Sequence, residues 1–90
     1  VNYTSKSIEN IKESPERLDA VKQLCESMGA SVDAFYLTMG QYDIVIIIDA
    51  PNAETAAKII LTITSGGNVS TETLAAFSEE EYRNIISALP

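Results

Sequence analysis

The stretch that most constrains the fold runs from Phe35 to Ala50 and reads FYLTMGQYDIVIIIDA. Its second half is a run of β-branched residues between a Gly-containing turn and Pro51, which is typical of a strand rather than of so short a helix. Gly40 supplies the positive φ that a reversal needs, and Asp43 offers a carboxylate to nearby backbone N–H groups. The stretch is therefore predicted to be a β-hairpin whose turn needs no ligand.

The second strand of this hairpin is apolar on both faces. Ile44, Ile46 and Ile48 lie on one face, and Val45 and Ile47 lie on the other. An antiparallel sheet with one face in water should instead alternate apolar and polar residues. The chain's own helices can cover one face, and a second copy of the sheet is the simplest cover for the other. We therefore expect a homodimer or a higher homo-oligomer.

Length and charge narrow the class of protein. Residues 1–90 are enough for a single domain with one modest core. The 13 acidic residues outnumber the 6 basic ones and give a net charge of −7, which argues against nucleic acid as a partner. No run of 18 apolar residues and no signal-like segment is present, so we expect no membrane partner. The only cysteine, Cys25, excludes an intrachain disulfide, and a reducing cytoplasm is the expected location.

Helix caps and hydrophobic spacing predict the order of the elements. Ser14 is expected to cap a helix that has Pro15 at its first position and stops at Gly29. Asn52 is expected to cap the next helix, and Ser78 with Glu81 forms a capping box for the last. The predicted elements are a strand end at Val1–Thr4, a helix of about fourteen residues, strands at Val32–Met39 and 44–49, a helix at Ala53–Thr64, a strand at Val69–Phe77 and a terminal helix carrying Tyr82, Ile85, Ile86 and Leu89.

This order predicts an α+β fold, a ferredoxin-like βαββαβ with an antiparallel sheet and an extra C-terminal helix. The N-terminal strand is expected to be truncated, because Val1–Thr4 has the character of the end of a strand. The helix from Ala53 carries apolar residues around most of its circumference, so we expect it to be buried on more than one side.

Several segments together resemble a known family. They are Asn10–Arg17, Phe35–Val45, Gly67–Val69, Thr71–Thr73, Phe77 and Glu80–Tyr82. The chain resembles the GYD-domain proteins, small bacterial and archaeal proteins named for a Gly-Tyr-Asp signature, and here Gln41 stands between Gly40 and Tyr42. The resemblance spans nearly the whole chain. It implies a member of the dimeric α+β barrel group and a family without an established activity.

The ligand inventory argues against a metal or a cofactor. The chain has no His and one Cys, and Asp43 and Asp49 are the only carboxylates that could pair on the hairpin. Haem would lack its proximal His. Cys25 is expected to be a small buried hydrophobe rather than a nucleophile, since no base is available. The Gly66-Gly67 pair follows a helix, so we expect a C-terminal loop rather than a phosphate site.

The sheet face opposite the helices is the candidate ligand surface. Val32, Ala34, Tyr36 and Thr38 are expected to share it, joined by Tyr3, Thr71 and Thr73. An apolar cleft with a few hydroxyls and one or two acids is typical of a small-molecule pocket. The candidate ligand-binding residues are Tyr36, Thr38, Tyr42, Asp43 and Glu72. The same mixture is also ordinary interface composition, and the interface is favoured.

Three functions follow from these residues. The leading hypothesis is a homo-oligomeric module without catalysis that binds a small molecule or serves in assembly. The second is a cofactor-independent oxygenase or isomerase in which Tyr36 or Tyr42 orients the substrate and Asp43 or Glu72 acts as base. The third is a stand-alone effector-binding domain similar to those of the Lrp/AsnC regulators.

Overall fold

A computed structural model describes all 90 residues, Val1–Pro90. The elements are β1 (Asn2–Tyr3), α1 (Ser5–Glu9), a 3-10 turn (Ile11–Glu13), α2 (Ser14–Ser27), β2 (Ser31–Leu37), β3 (Ile44–Asp49), α3 (Ala53–Ser65), β4 (Val69–Ser70) and α4 (Glu79–Ser87). The four strands and the helices α2 and α3 follow in the predicted order, and a further helix follows the last strand. The predicted α+β, ferredoxin-like class is confirmed.

Two short antiparallel ladders meet at the start of the chain. β2 pairs with β3, and β1 pairs with β4. Val1 and Ile44 join the two ladders through two hydrogen bonds. The amino group of Val1 donates to the Ile44 carbonyl at 3.0 Å, and the Ile44 N–H donates to the Val1 carbonyl at 2.9 Å. This exchange of bonds marks an antiparallel hydrogen-bonded pair. The spatial order of the strands is therefore β4, β1, β3, β2.

The predicted helix ends are confirmed at three places and wrong at one. Gly29 follows α2 with φ of +74°, the Asn52 side chain accepts from the Thr55 N–H at 2.8 Å, and Ser78 forms the capping box of α4. Ser14 does not cap α2. The 3-10 turn leads directly into the helix, so Ser14 already has helical geometry, and its Oγ lies 3.2 Å from the hydroxyl of Tyr3.

The core is small and lies between the helices and one face of the sheet. Cys25, Ala30 and Ile59 form its buried centre, with side chains of α2, β2 and β3 packed against them. α3 buries Ile59 completely and leaves Leu61 67% exposed. The expectation that this helix is buried on more than one side is therefore wrong, because no layer of the chain lies over its far side.

A β-bulge changes the predicted faces of β2. Val32 pairs with Ile48 and Ala34 pairs with Ile47, so Asp33 is the extra residue. Val32 consequently packs against the core cluster, and the prediction that it shares a face with Ala34 and Tyr36 is wrong. Ala34, Tyr36, Val45 and Ile47 form what we call the outer face, which lies opposite the helices.

The last strand is shorter than predicted. β4 ends at Ser70, whereas the sequence pattern predicted a strand as far as Phe77. β1 offers only Asn2 and Tyr3 as pairing partners, so residues 71–78 continue without regular structure. α4 follows with every residue exposed, and the molecule measures 52 × 31 × 18 Å. None of the helices has the length and apolar character needed to cross a lipid bilayer.

Candidate functional site

A cleft of about 320 Å³ lies between β3 and residues 71–76. Residues Ile44–Ile48 of β3 line one side, and Thr71, Thr73 and Leu74 line the other. Tyr42 and Glu72 also border it and bring polar atoms to a largely apolar space. The volume is near the lower end of the range for small-molecule sites.

A second cavity of about 250 Å³ lies on the helix side of the sheet, between β3 and helices α2 and α3. Both spaces adjoin β3 and share six lining residues, which are Val1, Ile44, Ile46, Ile48, Ile60 and Thr71. Arg17 and Ser14 line it, but the Arg17 guanidinium donates to the Ser7 hydroxyl at 2.8 Å and to the Asn10 carbonyl at 3.0 Å. Because Arg17 and Ser14 are already hydrogen-bonded and 12 of the 16 lining residues are hydrophobic, this cavity suits an apolar ligand.

Asp43 joins the two halves of the sheet. Its carboxylate Oδ2 accepts the Tyr3 N–H at 2.9 Å, and its own N–H donates to the Asn2 side-chain oxygen at 2.8 Å. The carboxylate thus takes the place of a backbone carbonyl where the pairing of Val1 with Ile44 ends. This accounts for an acid at the end of the turn by hydrogen bonding within the chain.

Thr38 closes the hairpin from inside the turn. Its hydroxyl donates to the Tyr42 carbonyl at 2.6 Å, and its N–H donates to the Asp43 carbonyl at 2.8 Å. Gly40 has φ of +141°, a value that L side chains rarely adopt, which confirms its predicted role in the reversal. The turn is therefore built from backbone and hydroxyl contacts between residues 38 and 43.

Tyr42 connects the turn to the segment that follows β4. Its hydroxyl donates to the Glu72 carboxylate. This hydrogen bond raises the pKa of the Tyr42 phenol above its ordinary value, with smaller contributions from burial and from the negative charge of Glu72. The phenol directs its proton to Glu72, and the raised pKa extends the pH range over which this hydrogen bond persists.

Four of the five sequence-predicted site residues belong to this one network. Thr38, Tyr42 and Asp43 share the turn, and Glu72 reaches it from residues 71–76. Tyr36 is separate: it lies on the outer face beside Val45 and is 60% exposed. Of the five, Tyr42 and Glu72 line the cleft. Binding of a ligand by these residues stays a prediction.

Tyr3 does not lie where the sequence placed it. It lines the cavity on the helix side, and its hydroxyl contacts Ser14 of α2. The expectation that Tyr3 joins the outer face is wrong, because its pairing with Val69 turns its ring toward the helices. Thr71 and Thr73 border the cleft, which Val45 and Ile47 of the outer face also line.

The sequence reasoning missed a set of contacts at the amino-terminal end of α1. Ser7 is completely buried and accepts from Arg17, while the Thr4 hydroxyl donates to the Gly67 carbonyl at 2.7 Å. Lys6 donates to the Gly66 carbonyl at 3.0 Å. The Gly66 carbonyl thus accepts from a cation and the Gly67 carbonyl from a hydroxyl, which agrees with the predicted loop rather than with a phosphate site. No spacing rule in the sequence signals the Ser7–Arg17 contact.

The cysteine and the carboxylates of the chain form neither a reactive thiolate nor a cluster of metal ligands. Burial raises the pKa of the Cys25 thiol, so the reactive thiolate is disfavoured. No three His, Cys, Asp or Glu side chains converge on a point that could hold a metal ion. What the site offers is an apolar cleft bordered by one phenol and one carboxylate.

Comparison with known proteins places the chain in a family. A family model described as the GYD domain matches residues 1–86. A protein of Thermus thermophilus named "Glutamine synthetase and cystathionine beta-lyase binding protein" is 38% identical over 74 residues, which cover 81% of this chain and 78% of that protein. No solved structure matches the chain. The segments singled out in the sequence and these two matches agree: the chain belongs to the GYD domain family.

Proposed function

We propose that the protein is a non-catalytic, homo-oligomeric binding module whose partners are a second copy of itself and other proteins. The observation that carries the proposal is the apolar outer face. Tyr36 is 60% exposed, Ile47 51% and Val45 43%, and all three lie on two adjacent strands. Contiguous apolar surface of this kind marks a site of protein association.

The total exposed surface supports the same proposal. A folded monomer of this mass is expected to expose about 5,100 Å², whereas this chain exposes 6706 Å². Its radius of gyration is 14.9 Å, against about 12 Å for a compact domain of this length. The excess of about 1,600 Å² is within the range that each subunit of an obligate homodimer buries.

The Thermus thermophilus relative is the reason for proposing that the chain also binds other proteins. That protein's name states that it binds glutamine synthetase and cystathionine beta-lyase. We propose that this chain also binds enzymes, as an assembly that presents its loops and helices outward. The single Cys25 is free and buried, which suits a reducing compartment, so the proposal includes a cytoplasmic location.

A small molecule in the cleft is the second candidate for a partner. The cleft's apolar lining and its Tyr42–Glu72 border favour a compact, mostly apolar ligand with one polar group. Soaking or titration with amino acids and phenols, followed by the quenching of tyrosine fluorescence, tests this. Binding that survives Glu72→Gln and Tyr42→Phe would contradict a role for this pair.

Sedimentation at micromolar concentration tests the proposed self-association. We expect at least twice the mass of a single chain. Ile47→Asp places a charge on the outer face and is expected to give monomers, because an unpaired charge cannot be buried cheaply in an apolar interface. Leu61→Asp is the matched control, since Leu61 is 67% exposed on α3, away from the outer face. A wild-type chain that sediments as a monomer contradicts the proposal.

Binding to purified enzymes tests the second part. The chain is immobilised and exposed separately to glutamine synthetase and to cystathionine beta-lyase, with an unrelated acidic protein of similar charge as the control. We expect saturable binding of at least one enzyme. Binding that matches the acidic control would remove enzymes from the list of partners and leave self-association standing.

A further inference from the structure

Residues 73–90, which we call the arm, are held to the rest of the chain by no hydrogen bond or ion pair. The last such contact is the one between Tyr42 and Glu72. Within the arm, the capping box of Ser78 and Glu81 and the Arg83–Glu79 ion pair of 3.0 Å organise α4. The arm is thus locally folded and has no polar contact with the core, although its first residues, Thr73, Leu74 and Ala76, border the cleft beside β3.

α4 has one apolar side and no neighbour on it. Tyr82, Ile85 and Ile86 of α4, with Leu89 just beyond its end, recur at helical spacing and are between 44% and 60% exposed. Glu80 and Asn84 lie on the opposite side of the helix. A helix of nine residues is marginal in water without tertiary contacts. Its apolar side therefore needs a partner surface.

The outer face has the dimensions that such a helix requires. α4 has nine residues and is about 13 Å long. β3 has six residues and extends about 20 Å. The helix can therefore lie across β2 and β3 with its apolar stripe on Tyr36, Val45 and Ile47. Both surfaces are exposed in this chain, so neither covers the other within one molecule.

We propose that the arm is exchanged between two copies, so that α4 of each protomer covers the outer face of its partner. The partner is a second copy because one chain carries both the apolar side of α4 and the outer face. In a two-fold symmetric dimer, α4 of each protomer then contacts the outer face of the other. The excess surface of about 1,600 Å² per chain is of the size that each subunit of an obligate dimer buries, and the arm and the outer face contribute to it. This inference rests on the proposed self-association.

Disulfide trapping between two separate variants tests the exchange. A tagged Ile47→Cys chain is mixed with an untagged chain carrying one of Tyr82→Cys, Ile85→Cys, Ile86→Cys or Leu89→Cys, and the pair is oxidised with glutathione disulfide. A disulfide forms only where the two Cα atoms come within about 7 Å. We expect at least one mixed-size covalent dimer. Asn84→Cys on the polar side of α4 is the matched control and is expected to give none.

The outcomes separate the exchange from self-association. If wild-type protein sediments as a dimer and no apolar-side variant is trapped, or Asn84→Cys is trapped equally well, the exchange is overturned and the proposed function survives. If wild type is monomeric, both fail. A double Ile47→Cys/Ile86→Cys chain that oxidises within one molecule places the arm on its own sheet and also overturns the exchange.

Discussion

Replacement of Asp43 tests whether its carboxylate holds the sheet together. The Tyr3 N–H donates to Asp43 Oδ2 at 2.9 Å, and a hydrogen bond to a charged group contributes about 1.5–3 kcal/mol, against about 0.5–1.5 kcal/mol for a neutral pair. Asp43→Ala removes the acceptor and is expected to lower the free energy of unfolding by about 2 kcal/mol. Asp43→Asn keeps an oxygen acceptor without the charge and is expected to cost about 1 kcal/mol.

Urea denaturation at neutral pH and one fixed protein concentration measures these costs. With a slope of about 1 kcal/mol per molar urea, the midpoint should fall by about 2 M for Asp43→Ala and about 1 M for Asp43→Asn. Asp49→Ala is the control, because Asp49 is exposed at the other end of β3 and its side chain makes no hydrogen bond. Equal midpoints for Asp43→Ala and wild type, or an equal loss in Asp49→Ala, would refute the structural role.

The same pair of variants separates a structural role from a ligand site. If Asp43 acts through Tyr3, Asp43→Asn should weaken folding and any ligand affinity should follow stability. A variant that folds and assembles like wild type but loses a bound small molecule would instead assign the carboxylate to binding.

Four further substitutions, at three positions, test other parts of the structure. Ile59→Ala should cost about 2–5 kcal/mol and Ile59→Val about 0.5–1.5 kcal/mol, measured by urea denaturation, because Ile59 is fully buried. Gly29→Ala should cost about 1–2 kcal/mol through its φ of +74°. Glu72→Gln should lower the raised pKa of Tyr42, followed by phenolate absorbance. In wild type, the stability from this raised pKa is present below pH 10.0 and lost as pH rises through the folded value. An unchanged free energy of unfolding would contradict the burial of Ile59 or the backbone conformation of Gly29. An unchanged pKa of Tyr42 in Glu72→Gln would contradict the hydrogen bond between these two side chains.

Local signals predicted the elements better than they predicted the packing. The hairpin, the cap at Asn52 and the stop at Gly29 each depend on residues close in sequence, so spacing rules locate them. The bulge at Asp33 and the early end of β4 depend on which strand lies alongside, and no local pattern encodes that.

In the candidate site, too, the contacts between sequence neighbours were predicted and the long-range contacts were not. The turn residues Thr38, Tyr42 and Asp43 could be grouped from the sequence because they are neighbours in the chain. That Glu72 meets Tyr42 across thirty positions, while Tyr36 faces the other way, follows from tertiary structure alone. The Ser7–Arg17 contact was missed for the same reason, since a serine and an arginine ten positions apart carry no distinctive pattern.

The burial of Cys25 at the centre of the core gives the protein an internal reporter. A thiol with no exposed surface can react with an alkylating reagent only when α2 moves away from α3 and the sheet. The rate of labelling therefore measures how often the helix opens, and no engineered cysteine is needed. Partners that clamp the helices should slow labelling, and partners that bind elsewhere should leave the rate unchanged.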